Sequence, residues 1–574
     1  MITYSLSEIP FSIPKSFLTV TSRNASGSHR LLYGTSSRRV LPGGAGRADP
    51  AHYFELALVR GGREVPYTWV AHPHRIDLTA QDGGTLVLTF ADAETLVFEA
   101  QGVRLRLVPC KSFPTHWRPA EDTLAVVDWA GRSTHLLRSA PGGYVQITPQ
   151  PAQKDYPPGY AADFGVIDFS APSGAFRYRL YEDFWREPFP SIQAALTARL
   201  SEYETWLEKI PVVGERYRAA AEQAWFILWN GQVPASGCLT RPSIFMSKFW
   251  MNAVWAWDNC FNALAVAQAD PELAWNHLLL FFDHQDPNGM VPDMIFEPDV
   301  LYQFTKPPIH GWTVFKLVEK IGLEVSRPYL AQLYEPLGRL ARWWYTFRDF
   351  DGDGMCQYHH GNDSGWDNSS MFDQGYPTEG SDLAAHLVLE CEGLAYMAGV
   401  LGRPHEAAEW QRKAETQLAD LLRLQVKDDR FFSPLDGQDS AAETRSLLNY
   451  IPMVLGHRLP DAVRKALAHD LGPDGSFLTP YGLATEALDS PKYEPDGYWR
   501  GPIWGPSTHM IFDGLVDAGE TDLAETVARR FCDLCVKTPG FWENYDAQTG
   551  VGLRCPAYSW TAAAFLEMAV WLNR

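Results

Sequence analysis

The chain has little positive charge and no block of it. Its 574 residues include 49 Lys and Arg against 69 Asp and Glu, which gives a formal net charge of −20. Proteins that bind nucleic acid phosphates or an anionic membrane surface concentrate Lys and Arg in patches that neutralise those charges. We therefore expect neither nucleic acid nor a membrane as a partner.

Long apolar runs, a leader pattern and a cysteine framework are also missing. No stretch of about 18 apolar residues predicts a transmembrane helix, and the first ten residues lack the basic and apolar regions of a secretory signal. The eight cysteines are scattered. Cys532 and Cys535 form a CxxC pair without a second pair or a histidine at zinc spacing, so we interpret them as core residues. These features predict a cytoplasmic protein with reduced thiols and leave its oligomeric state open.

The chain divides into a β part and a helical part. In residues 1–185, apolar or alternating segments at 53–59, 85–90 and 103–108 are separated by Gly-rich turns. This pattern predicts an N-terminal antiparallel β-sandwich domain. Residues 186–212 begin with helix-start chemistry and predict a helical linker.

Residues 213–574 show helical periodicity throughout. The periods lie around 213–230, 257–269, 271–285, 310–323, 326–348, 380–400, 404–426, 444–455, 460–470, 505–519, 520–536 and 557–572. Twelve helices in antiparallel pairs are what a closed (α/α)6 barrel needs, with six inner and six outer helices. The fold prediction is therefore a β-sandwich followed by an (α/α)6 barrel, with an irregular helical array as the alternative.

Aromatic residues are abundant where a buried core is not expected. They make up 13% of the chain, with 21 Trp, and many stand in polar segments punctuated by Gly and Pro. Flat rings suit the apolar faces of pyranoses, while neighbouring polar groups bond the sugar hydroxyls. This composition is typical of sugar-binding sites.

Two of the aromatic clusters predict substrate contacts near helix starts. Trp257, Asp258 and Phe261 stand at the head of one helix, where Asp258 either grips a sugar or caps the helix. A Pro-stiffened loop before the next helix presents four polar or aromatic candidates for recognition, namely Gln303, Lys306, His310 and Trp312. Lys306 would matter most for a substrate or aglycone that carries a carboxylate.

Two carboxylates stand in an aromatic and polar setting, as glycosidic bond cleavage requires. Asp367 follows Trp366 in a Gly- and Ser-rich turn, where loss of water contact would raise the pKa of the carboxyl as a general acid needs. The alternative is an aspartate that caps a helix. Glu543 lies between Trp542 and Tyr545, and it would stay ionised and able to activate water if it is solvated and hydrogen-bonded.

Two further segments carry candidate ligands. In the segment from Tyr498 to Trp504, which includes Trp499, Arg500 could orient a carboxylate, bond a sugar hydroxyl or stack in the core. The other segment, with Asp349, Asp351 and Asp353, looks like the start of a calcium loop. The glutamate expected at its twelfth position is replaced by His360, so an Asp- and Gly-rich turn is the alternative.

These motifs, in this order, resemble glycoside hydrolase family 63. The resemblance rests on Trp257-Asp258, the block from Gly365 to Ser369, the string from Tyr498 to Trp504, and Glu543-Asn544-Tyr545. It implies an inverting reaction with Asp367 as general acid and Glu543 as general base, whose carboxyl groups lie roughly 6.5–9.5 Å apart. The family's calcium loop corresponds to Asp349, Asp351 and Asp353. The trehalase and neutral invertase families share the barrel and parts of the aromatic pattern.

The resulting functional prediction is an inverting α-glycosidase, in particular an exo-acting α-glucosidase on a small α-glucoside. We expect a small carbohydrate substrate and no required cofactor, with calcium as a candidate metal. Trehalase-type or glycosylglycerate hydrolase activity on the same fold is the alternative within this class. A polysaccharide lyase and a non-catalytic sugar-binding protein are alternatives from other classes.

Overall fold

The computed structural model describes residues 2–22, 29–37, 51–111, 113, 115–128, 133–148, 165–179 and 184–574. Its N-terminal part forms two antiparallel sheets. One sheet has the order β1-β2-β3-β9-β14-β13, with β4 paired to β3, and the other has the order β10-β11-β12-β15-β8-β7-β6-β5. The strands are β1 Leu18–Thr21, β2 Leu31–Thr35, β3 Ala51–Arg60, β4 Arg63–Val65, β5 Tyr67–His72, β6 Arg75–Ala80, β7 Thr85–Asp92, β8 Thr95–Gln101, β9 Arg104–Pro109, β10 Thr115–Ala120, β11 Thr123–Asp128, β12 Ser133–Ser139, β13 Val145–Thr148, β14 Val166–Phe169 and β15 Ser173–Arg179.

The two sheets pack face to face through aromatic side chains. Phe98 on β8 lies 5.0 Å from Phe169 on β14, and Tyr33 on β2 lies 5.1 Å from Phe176 on β15, measured between ring centroids. The outer face of the second sheet is covered by the helix α1, Ile192–Leu207, which contacts β7 and β8. The predicted sandwich is confirmed.

Residues 184–574, all of which are described, form a closed ring of paired helices. The remaining helices are α2 Arg218–Asn230, α3 Asp258–Val266, α4 Pro271–Asp283, α5 His310–Ile321, α6 Leu323–Phe347, α7 Ser381–Val400, α8 Pro404–Leu424, α9 Asp461–Leu471, α10 Gly505–Asp517, α11 Thr521–Lys537 and α12 Ser559–Trp571. Segments of 3-10 helix cover Glu215–Tyr217, Gly361–Ser364, Ser370–Gln374 and Leu447–Arg458. Two-residue strands lie at Gln232–Val233, Ser243–Ile244, Val254–Trp255, Met294–Ile295, Val300–Leu301, Val426–Lys427, Arg430–Phe431, Leu478–Thr479, Gly482–Leu483, Asn544–Tyr545 and Gly552–Leu553.

The inner ring runs α3, α5, α7, the 3-10 segment Leu447–Arg458, α10 and α12, and closes back onto α3. The outer layer consists of α2, α4, α6, α8, α9 and α11, each packed against an inner neighbour. This is the predicted (α/α)6 barrel. Because inner and outer elements alternate along the chain, the inner elements run in one direction and begin at the same end of the barrel.

One barrel helix, α7, is apolar enough to cross a membrane by length and composition. It belongs to the inner ring, and 78% of its most apolar stretch is buried inside the protein. An inner helix of this fold is enclosed by its neighbours on every side, so an apolar sequence all round is the expected composition.

The β-sandwich is attached to the barrel by buried polar contacts. The Nδ2 of Asn230 donates to the carbonyl of Pro10 at 2.7 Å, and the Nδ2 of Asn252 donates to the carbonyl of Ser36 at 2.6 Å. The ammonium of Lys248 is enclosed by three acceptors, the Oγ of Ser12 and the carbonyls of Ile13 and Gln232. These contacts tie the N-terminal segment to the barrel end at which the inner helices begin.

Candidate active site

The predicted site segments come directly before the inner helices and therefore lie at one end of the barrel. Asp258 is the first residue of α3, and Lys306 lies just before α5. Asp367 precedes α7, Tyr498 precedes α10, and Glu543 precedes α12. Residues spread over almost 300 positions are thus brought together by the repeated helix pairs.

Asp367 is held in a tight turn that only glycine allows. Gly365 has φ +74°, and a Cβ at this position would stand 2.6 Å from the Trp257 indole. At Gly361, a Cβ would stand 2.2 Å from the carbonyl oxygen of Asp367. The turn is therefore packed directly against Trp257, and small residues in this segment are required by close contact.

The residue after Asp367 connects this turn to the Tyr498 loop. The Nδ2 of Asn368 donates to the carbonyl of Gly497 at 2.9 Å, and its Oδ1 accepts from the Trp499 amide at 3.0 Å. Arg500 donates from Nε to the Asn368 carbonyl at 2.6 Å and forms an ion pair with Asp373 at 2.5 Å. The Arg500 guanidinium therefore lies between these two loops, where it pairs with a carboxylate of the protein itself, Asp373.

Lys306 lies among three carboxyl groups. Its ammonium is 3.1 Å from Asp293 and donates to the carbonyl of Asn362 at 2.6 Å. Burial lowers the pKa of Lys306, but the charges of Asp293, Asp367 and Asp258 outweigh it and raise the pKa overall. The ammonium therefore stays charged and holds the loop before α5 against the turn that carries Asp367.

The carboxyl groups around Lys306 are hard to ionise. Asp258 is 3% exposed, and burial raises its pKa well above the usual range against the pull of Lys306. The N-cap of α3 is Trp257, and Asp258 is an acidic residue in the first turn of the helix. Burial also raises the pKa of Asp367, with Lys306 the largest opposing influence. Because its side chain is only partly buried, Asp367 remains open to a ligand.

Glu543 lies on a short antiparallel pairing just before α12. Its amide donates to the carbonyl of Cys555 at 2.7 Å, and the Cys555 amide donates back to its Oε2 at 3.4 Å. The side chain is 4% exposed. Backbone contacts at both ends of the residue fix the direction of the carboxylate.

The aromatic neighbours of Glu543 support this strand from behind. The hydroxyl of Tyr545 accepts from the Trp542 amide at 3.1 Å and lies 3.9 Å from the Sγ of Cys535 on the outer helix α11. Trp542 packs over Gly552, where a Cβ would meet its ring at 2.2 Å. Both rings therefore contact the scaffold that carries Glu543.

Tyr498 connects the two predicted catalytic carboxyls. Burial raises its pKa well above the usual range, and the next largest causes are the charges of Asp367 and Glu543. The guanidinium of Arg554 lies 4.8 Å from the centre of its ring and forms an ion pair with Asp496 at 2.5 Å. The two carboxyls are therefore close enough to Tyr498 for their charges to act on its pKa, although they are 176 residues apart in the chain.

Strained backbone is concentrated around Tyr498 and Glu543. Tyr498 has φ 63°, Phe541 has φ 48°, Arg554 has φ 65° and Ala557 has φ 54°. Non-glycine residues rarely adopt this region, and each costs about 1–3 kcal/mol unless its surroundings enforce it. Such strain is typical of functional sites and shows that the segments on both sides of Glu543 are held in a specific conformation.

An aromatic wall lines this end of the barrel. Trp366 packs on Trp499 with 4.6 Å between ring centroids, and Trp499 stacks on Trp504 at 3.8 Å. Trp257 lies 6.2 Å from Trp499 and 5.6 Å from Trp560. The predicted tryptophans of three separate segments therefore form one continuous cluster beside Asp367, in which each ring is at most 3% exposed.

Other predicted contacts lie deeper in the barrel or outside it. Trp312 packs against Phe261 at 5.7 Å and donates to Asp513 on α10 at 2.8 Å. His310 is buried 3.9 Å from Glu390, and burial lowers its pKa to about 4. Gln303 is exposed on its loop. Trp312, Phe261 and His310 therefore lie in the barrel interior, whereas Gln303 lies on the surface.

Three residues around the site were not among the sequence candidates. Asp293 holds Lys306, and Arg554 covers Tyr498. Tyr558 is 2% exposed, and burial followed by the charges of Glu543, Asp258 and Tyr498 raises its pKa. The only sequence signal for Tyr558 and Arg554 is their position in the short segment between Glu543 and α12.

The acidic loop gains two carboxylates from elsewhere in the chain. Carboxylate oxygens of Asp349, Asp351 and Asp353 lie within 4.8 Å of one another, and so do those of Asp351, Glu379 and Asp436. Glu379 is buried, and desolvation together with repulsion from these aspartates raises its pKa to about 8. A hard divalent cation bound by oxygen ligands fits this set.

Comparisons with known proteins agree with this geometry. Residues 251–561 match the mannosylglycerate hydrolase MGH1-like glycoside hydrolase domain. The mannosylglycerate hydrolase of Thermus thermophilus is 26% identical over 392 residues, which cover 54% of this chain and 93% of the relative. The glucosylglycerate hydrolase of Mycolicibacterium hassiacum is 23% identical over 415 residues, covering 56% and 92% of the two chains.

Solved structures match the helical part and the full chain. The crystal structure of a family 63 mannosylglycerate hydrolase from Thermus thermophilus in complex with glucose superposes with a TM-score of 0.52 at 25% identity, covering 62% of this chain and 99% of that one. A bacterial glucoamylase complexed with acarbose has a TM-score of 0.55 at 12% identity and covers 100% and 94% of the two chains. The second match shows that the β-sandwich and barrel together form a known two-domain arrangement. The chain belongs to the MGH1-like glycoside hydrolases of glycoside hydrolase family 63.

Proposed function

We propose that the protein hydrolyses a small α-linked glycoside with inversion at the anomeric carbon, with Asp367 as general acid and Glu543 as general base. The observation that carries this proposal is the placement of Asp367 and Glu543 before two inner helices at the same end of the barrel, where the charges of both act on Tyr498. Inverting hydrolysis needs a protonated carboxyl on one side of the sugar and an ionised carboxylate on the other. We assign the protonated form to Asp367, whose pKa is raised by burial, and the ionised form to Glu543.

Asp367 supplies the proton. Burial raises the pKa of its carboxyl, which favours the protonated form, while Lys306 keeps that rise in check. A general acid is most effective when its pKa lies near the working pH. As the glycosidic bond breaks, Asp367 transfers its proton to the leaving oxygen and becomes a carboxylate that the ammonium of Lys306 stabilises.

Glu543 activates the water. Its carboxylate accepts a hydrogen bond from the Cys555 amide, which holds one carboxylate oxygen in place. It takes a proton from a water that attacks the anomeric carbon from the face opposite the leaving group. The water oxygen forms the new bond, and an α-glycoside gives a β-sugar. The reaction consumes one water and leaves the proton on Glu543 for release to solvent.

The substrate is proposed to be an α-glucoside of small size. The support is the cluster of tryptophans that packs beside Asp367 and the position of both carboxyls at one end of the barrel. A glycosylglycerate is the second candidate, because the curated relatives include both mannosylglycerate and glucosylglycerate hydrolases.

The test compares ordinary glycosides with glycosyl fluorides, whose leaving group needs no proton. Asp367→Asn should lower kcat on an α-glycoside by about 10²–10⁴-fold and lose much less on the α-fluoride of the same sugar. Glu543→Gln should lower turnover of both substrates, because each needs the activated water. The exposed Glu409 lies on the outer helix α8, so Glu409→Gln is the matched control. Near-normal glycoside turnover by Asp367→Asn or Glu543→Gln would refute the role of that residue.

We further propose that calcium binds at the acidic loop and has a structural role. Asp349, Asp351 and Asp353 would hold it together with Glu379, which stands just before α7, and Asp436. The ion would join three separate loops on the side of the barrel that carries Asp367. Millimolar CaCl2 should raise the Tm by several degrees relative to a chelator, and Asp436→Asn should reduce that rise. An unchanged Tm would contradict the proposal.

A further inference from the structure

Four aromatic rings form a stack beside the turn that carries Asp367. Phe304 lies 4.7 Å from His360, His360 lies 5.8 Å from Tyr376, and Tyr376 lies 5.5 Å from Phe372, each within 24° of parallel. We call this set the ring stack. It joins the loop before α5 to the two 3-10 segments on either side of Asp367.

The ring stack is open to solvent. An aromatic cluster in a folded core would instead be buried. Tyr376 is 42% exposed, His360 is exposed and Phe304 is half-buried, while Phe372 at the inner end is 7% exposed. Exposed aromatic surface in contact with a catalytic centre is costly in water unless a ligand covers it.

The stack is fixed to the backbone of the acid's own turn. The hydroxyl of Tyr376 accepts from the Gly361 amide at 3.0 Å, and Gly361 itself packs against the carbonyl of Asp367. The ring positions are therefore coupled to the position of the general acid. Glu543 is carried by a different part of the chain, the segment before α12.

This arrangement decides which part of the substrate meets the stack. The general acid must contact the oxygen of the leaving group, while the base and its water occupy the opposite face of the sugar. Groups next to Asp367 and away from Glu543 therefore surround the leaving group. We propose that the ring stack is the aglycone subsite and that it takes a neutral sugar ring.

The charges around the site favour a neutral aglycone over a carboxylate. Four cations on the surrounding loops already hold carboxylates. Lys306 is 3.1 Å from Asp293, Lys492 and Arg500 are 2.9 Å and 2.5 Å from Asp373, and Arg554 is 2.5 Å from Asp496. An acidic aglycone would have to compete with these partners, whereas a pyranose would use its apolar face on the rings and its hydroxyls on water.

This inference rests on the proposed function, and its test uses Phe304→Ala at the outer end of the stack. The substrates are α-linked glucose disaccharides, glucosylglycerate and α-glucosyl fluoride, which has no sugar aglycone. Phe304→Ala should lower kcat/KM for the preferred disaccharide about 5–10-fold, the size of one lost aromatic contact, and leave the fluoride unchanged. Phe304→Tyr should restore disaccharide hydrolysis. Phe184→Ala is the matched control, because Phe184 is 54% exposed and lies before α1, away from the site.

The outcomes separate the two proposals. Equal losses on disaccharide and fluoride, or no loss on either, would overturn the ring stack as aglycone subsite. A higher kcat/KM for glucosylglycerate than for every disaccharide would overturn the neutral aglycone. Loss of the proposed function would appear instead as failure of the wild-type protein to hydrolyse the fluoride or any of the glycosides.

Discussion

Lys306 is the residue whose removal most directly probes the electrostatics of the site. Its ammonium lies 3.1 Å from the buried carboxylate of Asp293, and its charge opposes the rise in the pKa of Asp367 caused by burial. In Lys306→Met the side chain keeps a similar length and loses the charge. The change therefore acts on the neighbouring carboxyls more than on packing.

Two effects follow, and their sizes can be worked out from this geometry. Breaking a buried ion pair by removing one partner costs about 3–5 kcal/mol, and a loss of that size lowers the Tm by roughly 5–15 °C in a large domain. An opposite charge within a few ångströms lowers a carboxyl pKa by about 1–3 units. Without Lys306 the pKa of Asp367 should therefore rise further above its usual range.

The sign of the pH effect is definite. A general acid must be protonated, so its pKa sets the basic limb of the profile of kcat/KM against pH. That limb should move to higher pH in Lys306→Met. Lys316→Met is the matched control, because Lys316 pairs with Asp513 deeper in the barrel and should leave the limb in place. A basic limb that stays fixed or moves to lower pH in Lys306→Met would refute the reasoning.

Two further predictions concern the calcium loop and the acid turn. The pKa of Glu379 is raised from 4.5 to about 8 in the folded protein. Its contribution to the stability of the metal-free fold is therefore fully present below about pH 4.5 and is lost as the pH rises towards 8. Calcium prefers the ionised carboxylate, so thermal melts should show a larger calcium-induced rise in Tm at pH 8 than at pH 6, and equal rises would contradict the assignment. Gly365→Ala should lower kcat more than tenfold in a folded protein, because the added Cβ would stand 2.6 Å from Trp257. Gly375→Ala is the control: Gly375 also has a positive φ, +108°, but a Cβ there would meet nothing within 4 Å. Equal activity of the two variants, measured with circular dichroism as a check on folding, would rule out the proposed contact.

The fold could be predicted because the barrel repeats one simple pattern. Inner and outer helices alternate, and the outer helices α6, α8, α9 and α11 each have one apolar face, so their periods stand out along the chain. The period read at 310–323 corresponds to His310–Ile321, and the one read at 380–400 corresponds to Ser381–Val400. The small differences fall at helix ends, where the sequence pattern is weakest.

The site could be predicted only where a motif is local. Asp367 and Glu543 stand out because aromatic residues flank them in the chain. Lys306 looks like a surface residue, and its three carboxyl neighbours lie 13, 48 and 61 positions away, at Asp293, Asp258 and Asp367. Its burial depends on tertiary contacts for which a single sequence carries no signal.

The same limit applies to Arg500 and to the calcium loop. Arg500 was predicted from its aromatic neighbours, but its strongest contacts are with Asn368 and Asp373, which are more than 120 positions away. The sequence shows no glutamate at the twelfth position of the acidic loop, where a calcium loop would have one. The further carboxylates near this loop, Glu379 and Asp436, approach it from later segments of the chain.

The measurement that tests the central claim most directly is the anomeric configuration of the first-formed product. Proton NMR of wild-type enzyme acting on an α-glucoside resolves the two anomers before they interconvert. If Asp367 and Glu543 act as proposed from opposite faces of the sugar, β-glucose appears first and α-glucose follows by mutarotation. Initial release of α-glucose would show retention and would contradict the account.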